Sequence, residues 1–382
     1  MKILADENIP MAREVFGSLG ELVLKPGRTI SAQDLLDVDA LIVRSVTRVN
    51  ESLLRNSLVS FVGTCTIGID HLDLDYFQNT HIQWASAPGC NATSVVEYVL
   101  SALSALSLHG KYLREKTVAI VGCGNVGSKL LSALTRLNVK CCVYDPFLSE
   151  HQCLDLVELN EALACDIICL HTPLTFNGDH PTFHMIGERE ISALAPGTVL
   201  INAGRGGVIN NSALRQRLED QNDLTVVLDV WESEPDIDLP LMDLVTIATP
   251  HIAGYSYDGK VKGTYQVYQA LCEHLARLNA EAQHKTIDLY SLLPALNVPV
   301  LHWSGNRIKE DAFAYIRQSY DVLADDKHFR LLMHNSAQPG IEFDAMRKKY
   351  AVRREFGNYF IPAQVNGEMK ELLLNLGFMD LH

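Results

Sequence analysis

Short apolar runs alternate with helical patterns from the N-terminus to about residue 280, and this alternation constrains the fold more than any other feature of the chain. A strand, a helix and a further strand form the repeating unit of a parallel sheet. Two series are legible. The first comprises Lys2–Ala5, Ala40–Arg44, Phe61–Thr64 and Ile82–Ala85. The second starts at Thr117–Gly122 and continues through Lys140–Tyr144, Asp166–His171, Thr198–Ala203, Thr225–Val230 and Val245–Thr249. Such runs belong to strands covered on both faces, as in doubly wound α/β folds.

A long helical pattern from Ala92 to about His109 separates the two series, and another from Ser256 to about Ala280 follows the last strand. Both read as hinge helices, the second returning the chain to the first series. Residues 1–92 with 256–284 are therefore expected to form one discontinuous domain, a lid over a substrate, and residues 93–255 a nucleotide-binding domain. Beyond them the pattern changes. Leu293-Pro294, Val298-Pro299, the polar segment Asn335–Gly340 and helical stretches near Glu310–Leu323 and Asp344–Glu355 predict a separate α+β domain over residues 285–382.

Gly122-Cys123-Gly124-Asn125-Val126-Gly127 follows the strand Thr117–Val121 and opens an amphipathic helix. In that context the spacing is a dinucleotide fingerprint. Gly122 permits the tight turn, Gly124 lets the backbone approach a pyrophosphate, and Gly127 allows close helix–strand packing. The phosphates would meet the positive end of the helix. Asp145 ends the next strand, where a carboxylate accepts hydrogen bonds from both ribose hydroxyls and repels a 2′-phosphate. No Arg or Lys follows in Pro146-Phe147-Leu148-Ser149, so NAD is expected in preference to NADP. Thr172, after the strand Asp166–Leu170, is expected in the same crevice. Both sheets are thus predicted to be Rossmann-like.

Three later strands end on Arg205, Glu234 and His251. Strand C-termini border the cofactor crevice of an open parallel sheet. Oxidising a secondary alcohol requires a base for the hydroxyl proton while hydride leaves carbon, and an imidazole holds either protonation state near neutral pH. Glu234 can orient that ring, and Arg205 can clamp a substrate carboxylate with two charged hydrogen bonds. Together the three point to oxidation of a hydroxy acid. His180 and His184 have the spacing of a metal pair, but Pro181 and Asn177-Gly178-Asp179 mark a loop, and no metal is expected.

Several segments resemble, in register, the D-isomer-specific 2-hydroxyacid dehydrogenases over roughly residues 1–280. They are Val62–Asp73, Gly122–Gly127, Ile201–Gly207, Leu228–Pro235 and Thr249–Gly254. Asn91-x-x-Ser94-Val95-Val96-Glu97 resembles the opening of that family's hinge helix. The resemblance implies that Arg205, Glu234 and His251 are catalytic and that Gly63–Gly68 offers backbone amides to the substrate carboxylate. It also implies nucleotide contacts by Asn125, Val126, Ala203, Gly204, Asp229 and Gly254. One departure is Asn210-Asn211, where many members carry acidic residues.

Within the family the chain is most similar to members that oxidise a phosphorylated four-carbon 2-hydroxy acid on the way to vitamin B6. Ala5–Pro10, Val43–Thr47, Ala87–Asn91, His251–Ser256, Tyr320–Val322 and Phe343-Asp344-x-x-Arg347-x-x-Tyr350-x-x-Arg353-Arg354-Glu355 carry this likeness. A phosphorylated acid needs cationic and hydroxyl donors beyond the carboxylate clamp, and Arg44, Ser45, Thr66 and Tyr255 are the candidates. The resemblance also implies that the C-terminal domain makes a homodimer. A dehydrogenase for 3-phosphoglycerate or lactate is the alternative within the family. An NAD-sensing corepressor, which binds peptides on the same fold, is the alternative outside enzymes.

Composition narrows the remaining classes. A formal charge of −14 over 382 residues argues against a broad nucleic-acid or anionic-lipid surface. Met1–Ala5 runs into Asp6-Glu7, too short for a secretory signal, and no apolar stretch is expected to span a membrane. Nine cysteines without a C-x-x-C pair then read as reduced thiols, and the expected compartment is the cytoplasm.

Overall fold

Two parallel sheets organise the chain in a computed structural model that describes residues 1–106, 113–149, 151–153, 155–278, 287–293, 301, 312–365 and 367–380. The expected ends at His109, Ala280 and Glu310, and the boundary at residues 284–285, lie outside the described residues. Two compact units result: Met1–Asn91 with Ser256–Leu296, and Ala92–Tyr255 with Asn297–His382.

The first unit holds β1 (Lys2–Asp6), β2 (Glu21–Lys25), β3 (Ala40–Val43), β4 (Phe61–Thr64) and β5 (Gln83–Ala85), in the order β2-β1-β3-β4-β5. Alternate residues serve opposite faces, as the pleat requires. Ile3, Ala5, Ile42 and Phe61 pack with Val261, Val267, Tyr268 and Leu271 of the long helix Tyr257–Leu278. Leu4, Leu41, Val43 and Val62 pack with Leu35, Leu54 and Phe77 on the other side. Sequence reading passed over β2. Its three apolar residues lie between Gly20 and Pro26, and as an edge strand it pairs on one side alone and leaves no residue fully buried.

The second unit holds β6 (Thr117–Val121), β7 (Lys140–Tyr144), β8 (Ile167–Leu170), β9 (Val199–Asn202), β10 (Thr225–Leu228) and β11 (Ile247–Ala248), ordered β11-β10-β9-β8-β6-β7. Among the described residues every strand pair in both sheets is parallel. The chain leaves β6 toward β7 and returns to β8 on the opposite side, so a topological switch point lies between β6 and β8. Val118, Ile120, Cys169, Ile201 and Val227 face one core, and Ala119, Val121, Ile168, Leu200 and Val226 face the other.

Described residues of the C-terminal segment contribute to both of these cores. Phe313, Ile316, Phe356 and Leu373 pack with Val99 and Leu103 of the helix Ala92–Ala105, while Phe329 and Phe343 join Trp231 and Leu241. Fully burying one such side chain contributes about 1.5–3 kcal/mol. The edge of β11 is covered too: Ala248 N donates to Asp326 at 2.7 Å, and Arg330 holds Asp326 at 2.8 Å. Among the described residues this segment is helical, with one isolated bridge between Phe360 and Met379. The stretch read as Glu310–Leu323 divides into Ala312–Ser319 and Val322–Asn335 because Asp321 caps the second helix, accepting from Leu323 N. The helix expected from Asp344 starts earlier, at Pro339, a residue suited to a first helical turn, and ends at Lys348.

All nine cysteines are free. Among the described residues no helix is long and apolar enough to cross a membrane.

Candidate active site

Arg205, Glu234 and His251 follow β9, β10 and β11, which are neighbours in the second sheet. The structure joins two of them directly. His251 Nδ1 lies 2.8 Å from Glu234 Oε2, and Glu234 Oε1 accepts from the Trp231 amide at 2.9 Å. Burial opposes the Glu234 charge, but His251, Arg347 and the Trp231 amide outweigh it and hold the carboxyl below its usual range. A proton on Nδ1 directed at the carboxylate leaves Nε2 as the nitrogen able to take a proton from a bound hydroxyl. The other acid of this segment, Glu232, is spent elsewhere, 2.5 Å from His184 and accepting from Asn211 N at 2.8 Å.

His251 has a φ of 57°, a left-handed conformation that non-glycine residues adopt rarely and at a cost of about 1–3 kcal/mol. Asp229 holds it there. Its carbonyl accepts from His251 N at 2.6 Å, and its buried carboxylate accepts from Ile252 N at 2.8 Å, Ala253 N at 2.9 Å and Thr249 Oγ1 at 2.7 Å. Tyr98 OH lies 2.7 Å from Thr249 Oγ1 and extends the chain. Burial pushes the Asp229 carboxyl up, against these donors. Arg205 sits on a loop shaped by Asn202, which accepts from Gly204 N at 3.1 Å and donates to Arg205 O at 3.0 Å.

The fingerprint loop follows β6 at the switch point. Gly122 has φ +90°, and a Cβ there would stand 2.9 Å from Thr172 Cγ2, whereas one at Gly124 would meet nothing within 4 Å. Asn125 and Val126 open the helix Asn125–Arg136, and a Cβ on Gly127 would lie 2.1 Å from Gly122 O. Beside this loop both ring nitrogens of His171 and the Thr172 hydroxyl are buried without hydrogen-bond partners among the described residues. Burial pushes the His171 imidazole down to about 4, so the ring is neutral. Asp145 accepts from Cys123 N at 2.9 Å and Phe147 N at 3.1 Å, one bond to each oxygen, which leaves capacity on both for ribose hydroxyls. Orphaned polar atoms beside an open glycine cradle are what a dinucleotide would satisfy, so the residues present fit NAD. Ala203, Gly204 and Gly254 lie on the loops after β9 and β11.

The remaining candidates divide between the units. In the first, Arg44 Nε donates to the fully buried Asp6 at 2.9 Å, Ser45 is exposed, and Thr66 Oγ1 donates to Gly68 O at 3.0 Å. In the second, the Tyr255 ring packs edge-on against Tyr350 at 6.0 Å. Among the described residues no three His, Cys, Asp or Glu side chains gather for a metal. His180 packs on Phe147 at 5.5 Å.

Sequence reading assigned no part to Arg347 and Arg353, although both reach the site's loops. The guanidinium of Arg347 lies 5.6 Å from the Tyr255 ring centroid, and Arg353 donates to Ala253 O at 3.1 Å. Their signal in the sequence is their place in the C-terminal motif that carries the likeness, three residues to either side of Tyr350.

This sheet, its fingerprint and the paired Glu234 and His251 define an NAD-binding domain of a 2-hydroxyacid dehydrogenase. Residues 98–253 match the family model "D-isomer specific 2-hydroxyacid dehydrogenase, NAD binding domain", and residues 292–377 match a domain of unknown function. The erythronate-4-phosphate dehydrogenase of Cellvibrio japonicus is 48% identical over 384 residues, covering 99% of each chain. That of Teredinibacter turnerae is 48% identical over 361 residues, covering 94% of each. The chain belongs to the erythronate-4-phosphate dehydrogenase family and is an NAD-dependent dehydrogenase. The fold is also that of D-lactate dehydrogenase from Aquifex aeolicus complexed with NAD and lactic acid. There the TM-score is 0.62 at 22% identity, over 72% of this chain and 96% of that one. The NAD+-bound 3-phosphoglycerate dehydrogenase of Entamoeba histolytica gives 0.62 at 23%, over 75% and 99%.

Proposed function

We propose that the chain oxidises 4-phospho-D-erythronate to 2-oxo-3-hydroxy-4-phosphobutanoate, with NAD as hydride acceptor, in the synthesis of pyridoxal 5′-phosphate. The observation that carries this reading is the 2.8 Å pair of His251 and Glu234 at a strand end beside Arg205, in a chain whose relatives bear that substrate in their name. Arg205 clamps the substrate carboxylate, with the amides of Gly63–Gly68 as a second hold. His251 Nε2 takes the 2-hydroxyl proton as hydride leaves the same carbon. Glu234 keeps the ring in the productive tautomer and stabilises the imidazolium that forms. Bound NAD supplies the electrophilic carbon that receives the hydride.

Gly122, Gly124, Asn125, Val126, Gly127, Asp145, Thr172, Ala203, Gly204, Asp229 and Gly254 form the nucleotide site, and Ser45, Thr66 and Tyr255 contribute to the substrate site. Arg44 is weaker in that role than the sequence suggested, because Asp6 already balances its charge. The chain works as a cytoplasmic homodimer joined through its C-terminal segment. Leu331, Ile341 and Val352, exposed there by 58%, 60% and 72%, support such an interface. Steady-state oxidation of 4-phosphoerythronate, followed as NADH formation in wild type and His251→Ala, tests the assignment. Activity is expected in the first and its loss in the second, and equal rates would remove His251 from its role.

A further inference from the structure

We propose that Arg347 is a specificity-determining residue whose guanidinium receives the phosphate group of the substrate. This rests on the reading above and deepens it. The helix Pro339–Lys348 spans two loops of the site. Its first turn lies against the loop after Glu234, where a Cβ on Gly340 would stand 2.3 Å from Asp236 Oδ1 and 3.5 Å from Pro235 O. Its last turn carries Arg347, whose guanidinium carbon lies 5.6 Å from the centroid of Tyr255, four residues beyond His251, and 5.8 Å from that of Phe343. Two aromatic rings thus frame a guanidinium that also interacts electrostatically with Glu234.

Arg347 Nε is buried and has no hydrogen-bond partner among the described residues. A buried donor left without an acceptor is costly, and that cost is removed when a ligand supplies one. Arginine's planar fork matches phosphate oxygens, and the fixed rings of Tyr255 and Phe343 limit its motion. Arg205 is committed to the carboxylate and Arg44 to the buried Asp6, so Arg347 is the cation suited to a second, distal anion. It also lies outside the matched NAD-binding family segment, within residues 292–377. A C-terminal extension that brings this cation to the site supplies what a lactate or glycerate enzyme built from the common fold would have to find elsewhere.

The test compares kcat/KM for 4-phosphoerythronate and unphosphorylated erythronate in wild type, Arg347→Met and Arg347→Lys. Inorganic phosphate binding to the NADH-loaded enzymes is measured by calorimetry alongside. The preference for the phosphorylated acid is expected to fall about a hundredfold in Arg347→Met and less in Arg347→Lys, which keeps the charge but loses the fork. Phosphate binding should weaken at least tenfold. Equal losses on both substrates in either variant, or unchanged phosphate binding in the folded Arg347→Met enzyme, would overturn the proposal and leave Arg347 as a partner of Glu234. Failure of wild type to oxidise 4-phosphoerythronate would instead defeat the functional reading, while the phosphate measurement would still decide whether Arg347 binds that ion.

Discussion

Glu234 Oε2 stands 2.8 Å from His251 Nδ1, which leaves Nε2 as the ring nitrogen able to exchange a proton with a bound hydroxyl. His251→Ala is expected to lower kcat by about 10²–10⁴-fold, the range for losing a positioned base, with NAD affinity kept. Glu234→Gln should lose much of the same factor, because an amide can present its NH₂ to Nδ1 and reverse the tautomer. Stopped-flow measurement of NADH formation separates this loss from product release. A Glu234→Gln enzyme with an unchanged chemical step would contradict the pairing.

The same carboxylate links stability to pH. Its value in the folded protein lies below the ordinary 4.5, so its contribution to stability is present above that value and is lost as pH falls through the folded one. Urea unfolding of wild type and Glu234→Gln should therefore differ most near neutrality and converge under acid conditions. A difference that stays constant across that range would argue against a native-state charge interaction at Glu234.

Asp229 braces the loop that carries His251. Asp229→Ala leaves Thr249 Oγ1, Ile252 N and Ala253 N without their acceptor, at about 1–3 kcal/mol for each buried donor. With the left-handed His251 no longer held from that side, both the melting temperature and kcat should fall. Thermal melts and turnover on the same preparation check this, and a variant as stable as wild type would show that Asp229 does not brace the loop.

Asp145 should govern the choice of nucleotide. Asp145→Ser removes the acceptor for ribose hydroxyls and also the bonds from Cys123 N of the fingerprint loop and from Phe147 N, so NAD binding should weaken about ten- to hundredfold. Discrimination against NADP should shrink in parallel. Fluorescence titration with both reduced nucleotides measures it, and an unaltered preference would move the selectivity to another residue.

The nucleotide-binding half of the molecule was readable because its signals are local. Strands buried on both faces appear as continuous apolar runs, and the glycine spacing at Gly122–Gly127 follows directly from one turn. Arg205, Glu234 and His251 were legible for the same reason, each lying just beyond such a run. β2 escaped because an edge strand needs only part of that pattern. Arg347 and Arg353 were hidden for a different reason. They reach the Tyr255 ring and Ala253 O from about a hundred residues away in sequence. No helical periodicity distinguishes such a guanidinium from one on a solvated face. Arg44 shows the converse: its ion pair with Asp6, 38 residues away, is set by the fold and leaves no local mark in the sequence.

The most direct test of the whole account is turnover by the purified protein on 4-phosphoerythronate and on 3-phosphoglycerate, each with saturating NAD. A kcat/KM at least a hundredfold higher for 4-phosphoerythronate is expected, abolished in His251→Ala. Preference for 3-phosphoglycerate, or absence of hydride transfer with either acid, would contradict it.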